Sequence, residues 1–190
     1  MKKMTLLVIL SAFVVLFTMN DTFAGGTFKL GIDLSGDHEV SGYGLSGTED
    51  VETGFSLTGE LFGKISNIFD IGGGITVQIP RSQEDFEGDF YFIPLYALIR
   101  ARIETEKVTP YFIGQLGYNL FEGDSDYKGS GIYKADLEGG LYWGLGAGII
   151  IRKNFLIEVL YSVNNGTAEA LGYEFDIEYS KVTLNFGYNF

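Results

Sequence analysis

The chain has 190 residues, with 25 acidic side chains, 13 basic side chains, one histidine and no cysteine. The absence of cysteine excludes disulfides, thiolate metal ligands, cysteine nucleophiles and a lipid anchor on an N-terminal cysteine. The formal net charge of −12 argues against nucleic acid as a partner, because phosphates are bound by clustered Lys and Arg. The length suits one domain, and 27 glycines with only three prolines favour a β-rich chain.

The first 24 residues have the pattern of an export signal. A basic pair, "KK", follows the first residue, and residues 6–17 form an almost unbroken apolar run. The run of about 12 residues is shorter than the roughly 20 that a spanning helix needs. The stretch "TFA" then offers small residues at −3 and −1 for cleavage after Ala24. We therefore predict that residues 1–24 are a cleaved signal peptide and that residues 25–190 form the exported domain.

Eight segments of the mature chain alternate between apolar residues and polar or small residues. In the last of them, Val182, Leu184 and Phe186 alternate with Thr183 and Asn185. Because successive side chains of a β-strand point to opposite faces, this period predicts eight strands, and no segment has a helical period. The segments are "FKLGIDLS", "FSLTGELF", "DIGGGITVQI", "YALIRARIE", "YFIGQLGYNL", "LYWGLGAGIIIR", "FLIEVLYSV" and "KVTLNFGYNF".

The connections between these segments alternate in length. Four are long, namely "GDHEVSGYGLSGTEDVET", "PRSQEDFEGD", "EGDSDYKGSGIYKAD" and "NNGTAEALGYEFD", and three are short, namely "GKISN", "TEKVT" and "RKN". An antiparallel meander with short periplasmic turns and long extracellular loops has this rhythm. The predicted fold is therefore all-β, an eight-stranded antiparallel up-and-down transmembrane β-barrel.

The two faces of the predicted strands differ in charge. A soluble barrel of eight strands would carry its charged face outside, but a face that is apolar throughout, with no helix to cover it, belongs against lipid. We therefore place the mixed face in the lumen. The predicted lumenal polar network consists of Lys29, Asp33, Glu60, Arg100, Arg102, Gln115, Glu158 and Lys181.

Aromatic residues of the apolar face fall near the two strand ends, as at the two interfaces of a membrane. With the short turns at the bottom, the lower group is Phe28, Phe112, Phe155, Tyr188 and Phe190, and the upper group is Tyr91, Tyr118, Trp143 and Tyr161.

These features together resemble the small outer-membrane β-barrel superfamily, which includes the OmpA transmembrane domain and OmpX. The terminal "NFGYNF" is similar to the family's C-terminal assembly signal, which implies this role for Phe186, Tyr188 and Phe190. The resemblance implies a location in a Gram-negative-type cell outer membrane, with membrane lipid and the barrel-assembly machinery as partners. We expect no counterpart of the peptidoglycan-binding domain that full-length OmpA carries after its barrel.

An eight-stranded barrel has room inside only for its own side chains. We therefore expect a structural or surface-interaction protein with no enzymatic activity and no cofactor. A buried carboxylate needs a partner, and we expect Glu158 to pair with Arg100, Arg102 or Lys181. Two alternatives remain. One is a narrow gated conduit, as proposed for the OmpA family, and the other is a lipid-modifying enzyme, as some eight-stranded outer-membrane barrels are.

Two other stretches are candidates for a catalytic site and for a metal site, and the sequence argues against both. The one histidine, His38, lies among acids in a long connection, where a solvated role is more common, so no catalytic residue is predicted. The stretch "DSDYKGSGIYKA" starts like a calcium loop, but Lys128 and Ala135 occupy ligand positions, so no metal site is predicted either. The four long connections, counted with Glu138 just after the third, hold 17 acidic residues and three basic ones. This charge serves loop solubility or binds an unknown cationic extracellular partner.

Overall fold

The computed structural model describes residues 25–42, 45–51, 53–78, 81–83, 86–123, 136–170 and 173–190. The predicted signal peptide lies outside these ranges. Within them, no helix is long and apolar enough to cross a bilayer. The strands are β1 (Gly25–Gly42), β2 (Leu45–Val51), β3 (Gly54–Lys64), β4 (Phe69–Gln78), β5 (Arg81–Gln83), β6 (Phe86–Arg102), β7 (Val108–Gly123), β8 (Asp136–Ile151), β9 (Phe155–Ala170) and β10 (Tyr173–Asn189).

Eight of these strands form a closed antiparallel ring in the order β1, β3, β4, β6, β7, β8, β9 and β10. The ring closes because β10 pairs with β1, from Thr27 opposite Asn189 up to Ser41 opposite Asp176. Strands β2 and β5 lie outside the ring, where they pair with the upper parts of β1 and β6. The predicted eight-stranded antiparallel barrel is therefore confirmed.

Three of the four long connections are hairpin extensions rather than irregular loops. Strand β1 continues to Gly42 and pairs with β2, while β9 reaches Ala170 and pairs with β10 from Tyr173. The alternation signal is missing here because, if these extensions rise above the membrane, water reaches both of their faces. Their backbone groups still need partners, and the hydrogen-bonded ladder supplies them. Residues 124–135, most of the remaining connection, lie outside the described residues.

The short turns all lie at one end of the ring, which we call the lower end. They connect β3 to β4, β6 to β7 and β8 to β9. In the last turn, Arg152 and Lys153 have φ values of 52° and 71°, a left-handed region that residues with a Cβ rarely adopt. The turn is joined to its neighbour by a hydrogen bond from the Arg152 backbone N–H to the Lys107 carbonyl oxygen, 3.0 Å long.

The outer surface of the ring is apolar and the inner surface is mixed. Large apolar side chains on the outside are exposed, from Ile149 at 37 % to Phe112 at 70 %. Aromatic contacts occur near both edges of this apolar band, between Trp143 and Tyr161 above and between Phe155 and Tyr188 below. Because the exposed surface is larger than scattered apolar residues would give, it is a surface for an apolar environment.

Candidate functional site

The barrel interior holds a cluster of four buried charges, which we call the central cluster: Lys29, Glu60, Arg100 and Glu158. They come from β1, β3, β6 and β9, so the cluster reaches across the lumen. Each side chain is at most 1 % exposed. Two cations and two carboxylates make the group neutral, which is the condition for burying charge without a large loss of stability.

Lys29 bridges the two carboxylates of the central cluster. Its Nζ lies 2.9 Å from Glu60 Oε1 and 2.8 Å from Glu158 Oε1. Arg100 donates from its terminal nitrogen to Glu60 Oε2 at 3.1 Å. Arg100 also stacks, with its guanidinium carbon 4.4 Å from the Phe62 ring centre and 4.9 Å from that of Tyr111. Cation–π contacts of this kind are stronger where water is excluded.

Neutral side chains complete the hydrogen bonding of the two carboxylates. Glu158 accepts from the Tyr111 hydroxyl at 2.8 Å and from Asn185 Nδ2 at 2.9 Å. Glu60 accepts from the Tyr96 hydroxyl and from Gln115 Nε2, both at 3.1 Å. The Tyr142 hydroxyl in turn donates to Gln115 Oε1 at 2.6 Å. A buried network satisfied to this degree is rigid, because each carboxylate is fixed by several donors.

A second charge pair lies above the central cluster. Lys181 Nζ lies 2.8 Å from Asp33 Oδ2, and the Thr183 hydroxyl donates to Asp33 Oδ1 at 2.7 Å. A cavity of about 10 Å³ lies beside Lys181, Thr183 and Asn185. That volume is about the least that one water molecule needs. This cavity therefore has room for about one water molecule.

A third group, the rim network, lies at the lower end. Arg102 Nε is 3.2 Å from Asp70 Oδ2, and a terminal nitrogen of Arg102 is 3.1 Å from Glu104 Oε1. Lys64 Nζ reaches the same Glu104 oxygen at 3.3 Å. The hydrogen bond from Lys64, together with the charge of Arg102, holds the pKa of the Glu104 carboxyl below its ordinary value. This network connects two of the short turns.

All eight residues of the predicted polar network point to the inside of the ring, but they form three groups. Lys29, Glu60, Arg100, Gln115 and Glu158 meet in the central cluster and its shell, Asp33 pairs with Lys181, and Arg102 belongs to the rim network.

The prediction that Glu158 pairs with Arg100, Arg102 or Lys181 is wrong. Its cation is Lys29, whereas Arg100 binds Glu60, Lys181 binds Asp33 and Arg102 binds Asp70. Alternation along a strand shows which face a side chain points to, but not its height in the barrel relative to residues on strands that are not its neighbours. Lys181 lies at the level of Asp33, and Lys29 lies at the level of Glu158.

The inward tyrosines of the network were missed from sequence. Tyr96, Tyr111 and Tyr142 occupy the same alternation phase as Arg100, Gln115 and Gly144, and that signal could have placed them inside. Among the described residues, no group of three or more histidine or acidic side chains is arranged to hold a metal ion. The side chain of His38 lies outside what the structure describes.

The residues predicted as an assembly signal lie on the outer face of β10 or directly after it. Phe186, Tyr188 and Phe190 are each between 45 and 48 % exposed. Phe190 exchanges two backbone hydrogen bonds with Gly26, both 3.0 Å long, which extends the pairing of β10 with β1. The signal role itself stays a prediction.

No protein-family model and no curated protein matches the chain. Solved structures do match. The outer membrane protein OprG from Pseudomonas aeruginosa is 14 % identical, with 88 % of this chain and 97 % of that one covered and a TM-score of 0.54. The outer membrane protein AlkL, solved by solid-state NMR in lipid bilayers, is 13 % identical, with 87 % and 90 % covered and a TM-score of 0.50. The fold is thus that of the small outer-membrane β-barrels, and the resemblance seen in the sequence is confirmed at this level.

Proposed function

We propose that this protein is an integral outer-membrane barrel with a structural or surface-interaction role and a closed lumen. The observation that carries the proposal is the central cluster, in which Lys29 contacts both Glu60 and Glu158 across the interior. Opening a water path through it would separate charges that have several buried donors each. We infer that the barrel acts through its surface and its hairpins rather than as a conduit.

The apolar outer surface supports the location. Leu95, Leu116 and Leu145 each leave 60 % or more of their surface uncovered. Exposing them to water would be unfavourable by roughly 25 cal/mol for each Å² of apolar surface, whereas hydrocarbon removes this penalty. Backbone groups facing lipid are satisfied because the ring closes without a free edge along the barrel. The folds of OprG and AlkL support the same location.

Membrane fractionation tests this location. We expect the protein in the outer-membrane fraction, floating with lipid, and migrating differently on a gel before and after boiling, because a closed barrel resists detergent until it is heated. Protease added to intact cells should cut the long hairpins but not the turn at Arg152 and Lys153. Cleavage at that turn from outside would contradict the proposed orientation, and a chain that fails to float with lipid would contradict the location.

Assembly can be tested at Phe190 separately from stability. Its backbone hydrogen bonds to Gly26 do not involve the side chain, and its ring lies over Gly26, so Phe190→Ala should keep the closing strand pairing of the purified barrel and lose only the contacts of the ring. If the barrel-assembly machinery recognises the aromatic side chain of Phe190, the same variant should give less inserted protein in cells. A matched control is Phe112→Ala, which removes a lipid-facing ring outside the predicted signal. Equal insertion of both variants would remove the signal role.

The surface role depends on the acidic hairpins. We propose that they bind a cationic extracellular partner, because the four long connections, counted with Glu138 just after the third, hold 17 acidic residues against three basic ones. Pull-down of surface partners with intact cells, comparing the parent with a version whose hairpins are shortened, tests this. Absence of any difference would leave the loops with a solubility role only.

We also propose that the protein is not an enzyme. Expression followed by analysis of outer-membrane lipids should give the same lipid species with and without the protein. A new or missing acyl chain would favour the lipid-modifying alternative.

A further inference from the structure

The lower end of the barrel carries three basic side chains that form a patch, which we call the basic rim: Lys107, Arg152 and Lys153. All three are exposed. The turns that hold them are neighbours, since the Arg152 N–H donates to the Lys107 carbonyl oxygen at 3.0 Å. Within the described part of the chain, none of the three makes an ion pair, whereas Lys64 and Arg102 at the same end are bound to Glu104.

The backbone of the basic rim is unusual. Arg152 and Lys153 both have positive φ, at 52° and 71°, where glycine or asparagine is the usual choice in a tight hairpin. A residue with a Cβ is strained in this region, because the Cβ lies too close to the backbone. Two long cations therefore occupy positions at which glycine or asparagine would be less strained. A cost of this kind at a turn points to a role for the side chains.

The basic rim lies directly against the apolar band. Val108 pairs with Ile151, next to Arg152, and both strands then continue into the outer surface. Phe155, two residues after Lys153, is 60 % exposed, and its ring packs edge-on against Tyr188. Cations immediately beyond an apolar surface are at the level of lipid headgroups. The acids nearby are Glu104, which Lys64 and Arg102 already bind and which the charge of Lys153 also reaches, and Glu106.

We propose that the basic rim binds an anionic phospholipid in the leaflet that the short turns face. The phosphate would lie among Lys107, Arg152 and Lys153, and the acyl chains would lie along Val108 and Phe155. The apolar floor favours a phospholipid over a soluble anion, which would contact only the cations. This inference rests on the proposed membrane location.

Lipid retention by the purified barrel tests the proposal. The barrel, extracted in neutral detergent, is mixed with equal amounts of phosphatidylglycerol and phosphatidylcholine carrying the same acyl chains, and bound lipids are counted by native mass spectrometry. The parent should prefer phosphatidylglycerol. Because each cation near an anionic lipid contributes about 1 kcal/mol, or about fivefold, the K107Q/R152Q/K153Q variant should lose at least about tenfold of the preference. The preference should also weaken with salt.

Matched variants and a competitor make the test specific. Lys64→Gln removes a lysine of the same end that is already bound to Glu104, and should keep the preference within about twofold. Glu106→Gln should strengthen the preference for phosphatidylglycerol, because it removes an acid beside Lys107. If the triple variant does not fold, this variant tests the proposal in its place. An unchanged preference in the triple variant would overturn the proposal, as would displacement of the lipid by millimolar inorganic phosphate. A wrong membrane location would instead appear as a parent protein that does not float with lipid.

Discussion

Lys29 and Glu158 are 129 positions apart in the chain, and their charged atoms are 2.8 Å apart in the barrel. They belong to β1 and β9, which are not neighbours, because β10 lies between them in the ring. Their contact therefore passes over β10 on the lumenal side instead of running along one strand pair. Together with Glu60 and Arg100 it closes the interior with a neutral set of charges.

This contact predicts a strong coupling between the two residues. Glu158→Ala should lower the free energy of unfolding by about 3–5 kcal/mol, since it leaves a buried cation with one carboxylate fewer. Adding Lys29→Met should cost less than the two single changes summed, because Arg100 and Glu60 remain as a neutral pair. Stability would be followed as the fraction of unboiled, fast-migrating protein across a denaturant series.

Lys181 provides the control for this cycle. It is a buried lysine on another strand, but its partner is Asp33. The coupling between Glu158→Ala and Lys181→Met should therefore be clearly smaller than that with Lys29→Met. A larger coupling with Lys181 would mean that the register across the lumen differs from the one described.

The contrast between Lys29 and Lys181 also shows which features of the lumen could be predicted from the sequence and which could not. Because the side-chain period of a strand is two, alternation was enough to place Lys29, Glu158 and Lys181 inside. Pairing across the lumen depends on the stagger between strands that do not touch, and no local pattern encodes that stagger. For this reason, the polar face was predictable and the partner of Glu158 was not.

The hairpin extensions were missed for a different reason. The upper part of β1, up to Gly42, has no apolar alternation, because neither face of a strand beyond the membrane needs to be buried in lipid or core. This part of the sequence is rich in glycine and acidic residues, a composition that is equally common in irregular loops and in hairpins. Backbone pairing with β2 decides between them, and that pairing is not visible in the hydrophobic pattern.

Arg100→Lys should destabilise the barrel although the charge is kept. The lysine can still reach Glu60, but the stacking of the guanidinium on Phe62 and Tyr111 is lost. We expect a loss of about 1–2 kcal/mol, since a stacked arginine is not replaced by a point charge. The same exchange at Arg152, which is exposed, should have little effect. The denaturant midpoints of the two variants measure the difference, and equal midpoints would contradict the stacking role.

Gly148→Ala should disturb the central cluster from the strand next to Glu158, because Gly148 pairs with Glu158 on one side and with Tyr111 on the other. A Cβ at this position would lie 2.5 Å from the Tyr111 hydroxyl oxygen, which donates to Glu158. Overpacking of this kind costs about 1–3 kcal/mol. Gly114→Ala is the control, because the nearest atom to its Cβ would be 3.6 Å away. Thermal unfolding in detergent compares the two, and equal loss at both positions would mean that Tyr111 can move without consequence.

The proposed structural role requires a lumen that is closed by Lys29, Glu60, Arg100 and Glu158. Current across a planar bilayer tests this most directly, with insertion verified by the gel shift on boiling and a large porin as the positive control. The closed interior predicts that insertion of the parent barrel adds no lasting current to that of the bare bilayer. A steady open conductance at each insertion would contradict it and would move the narrow-channel alternative ahead of the structural one.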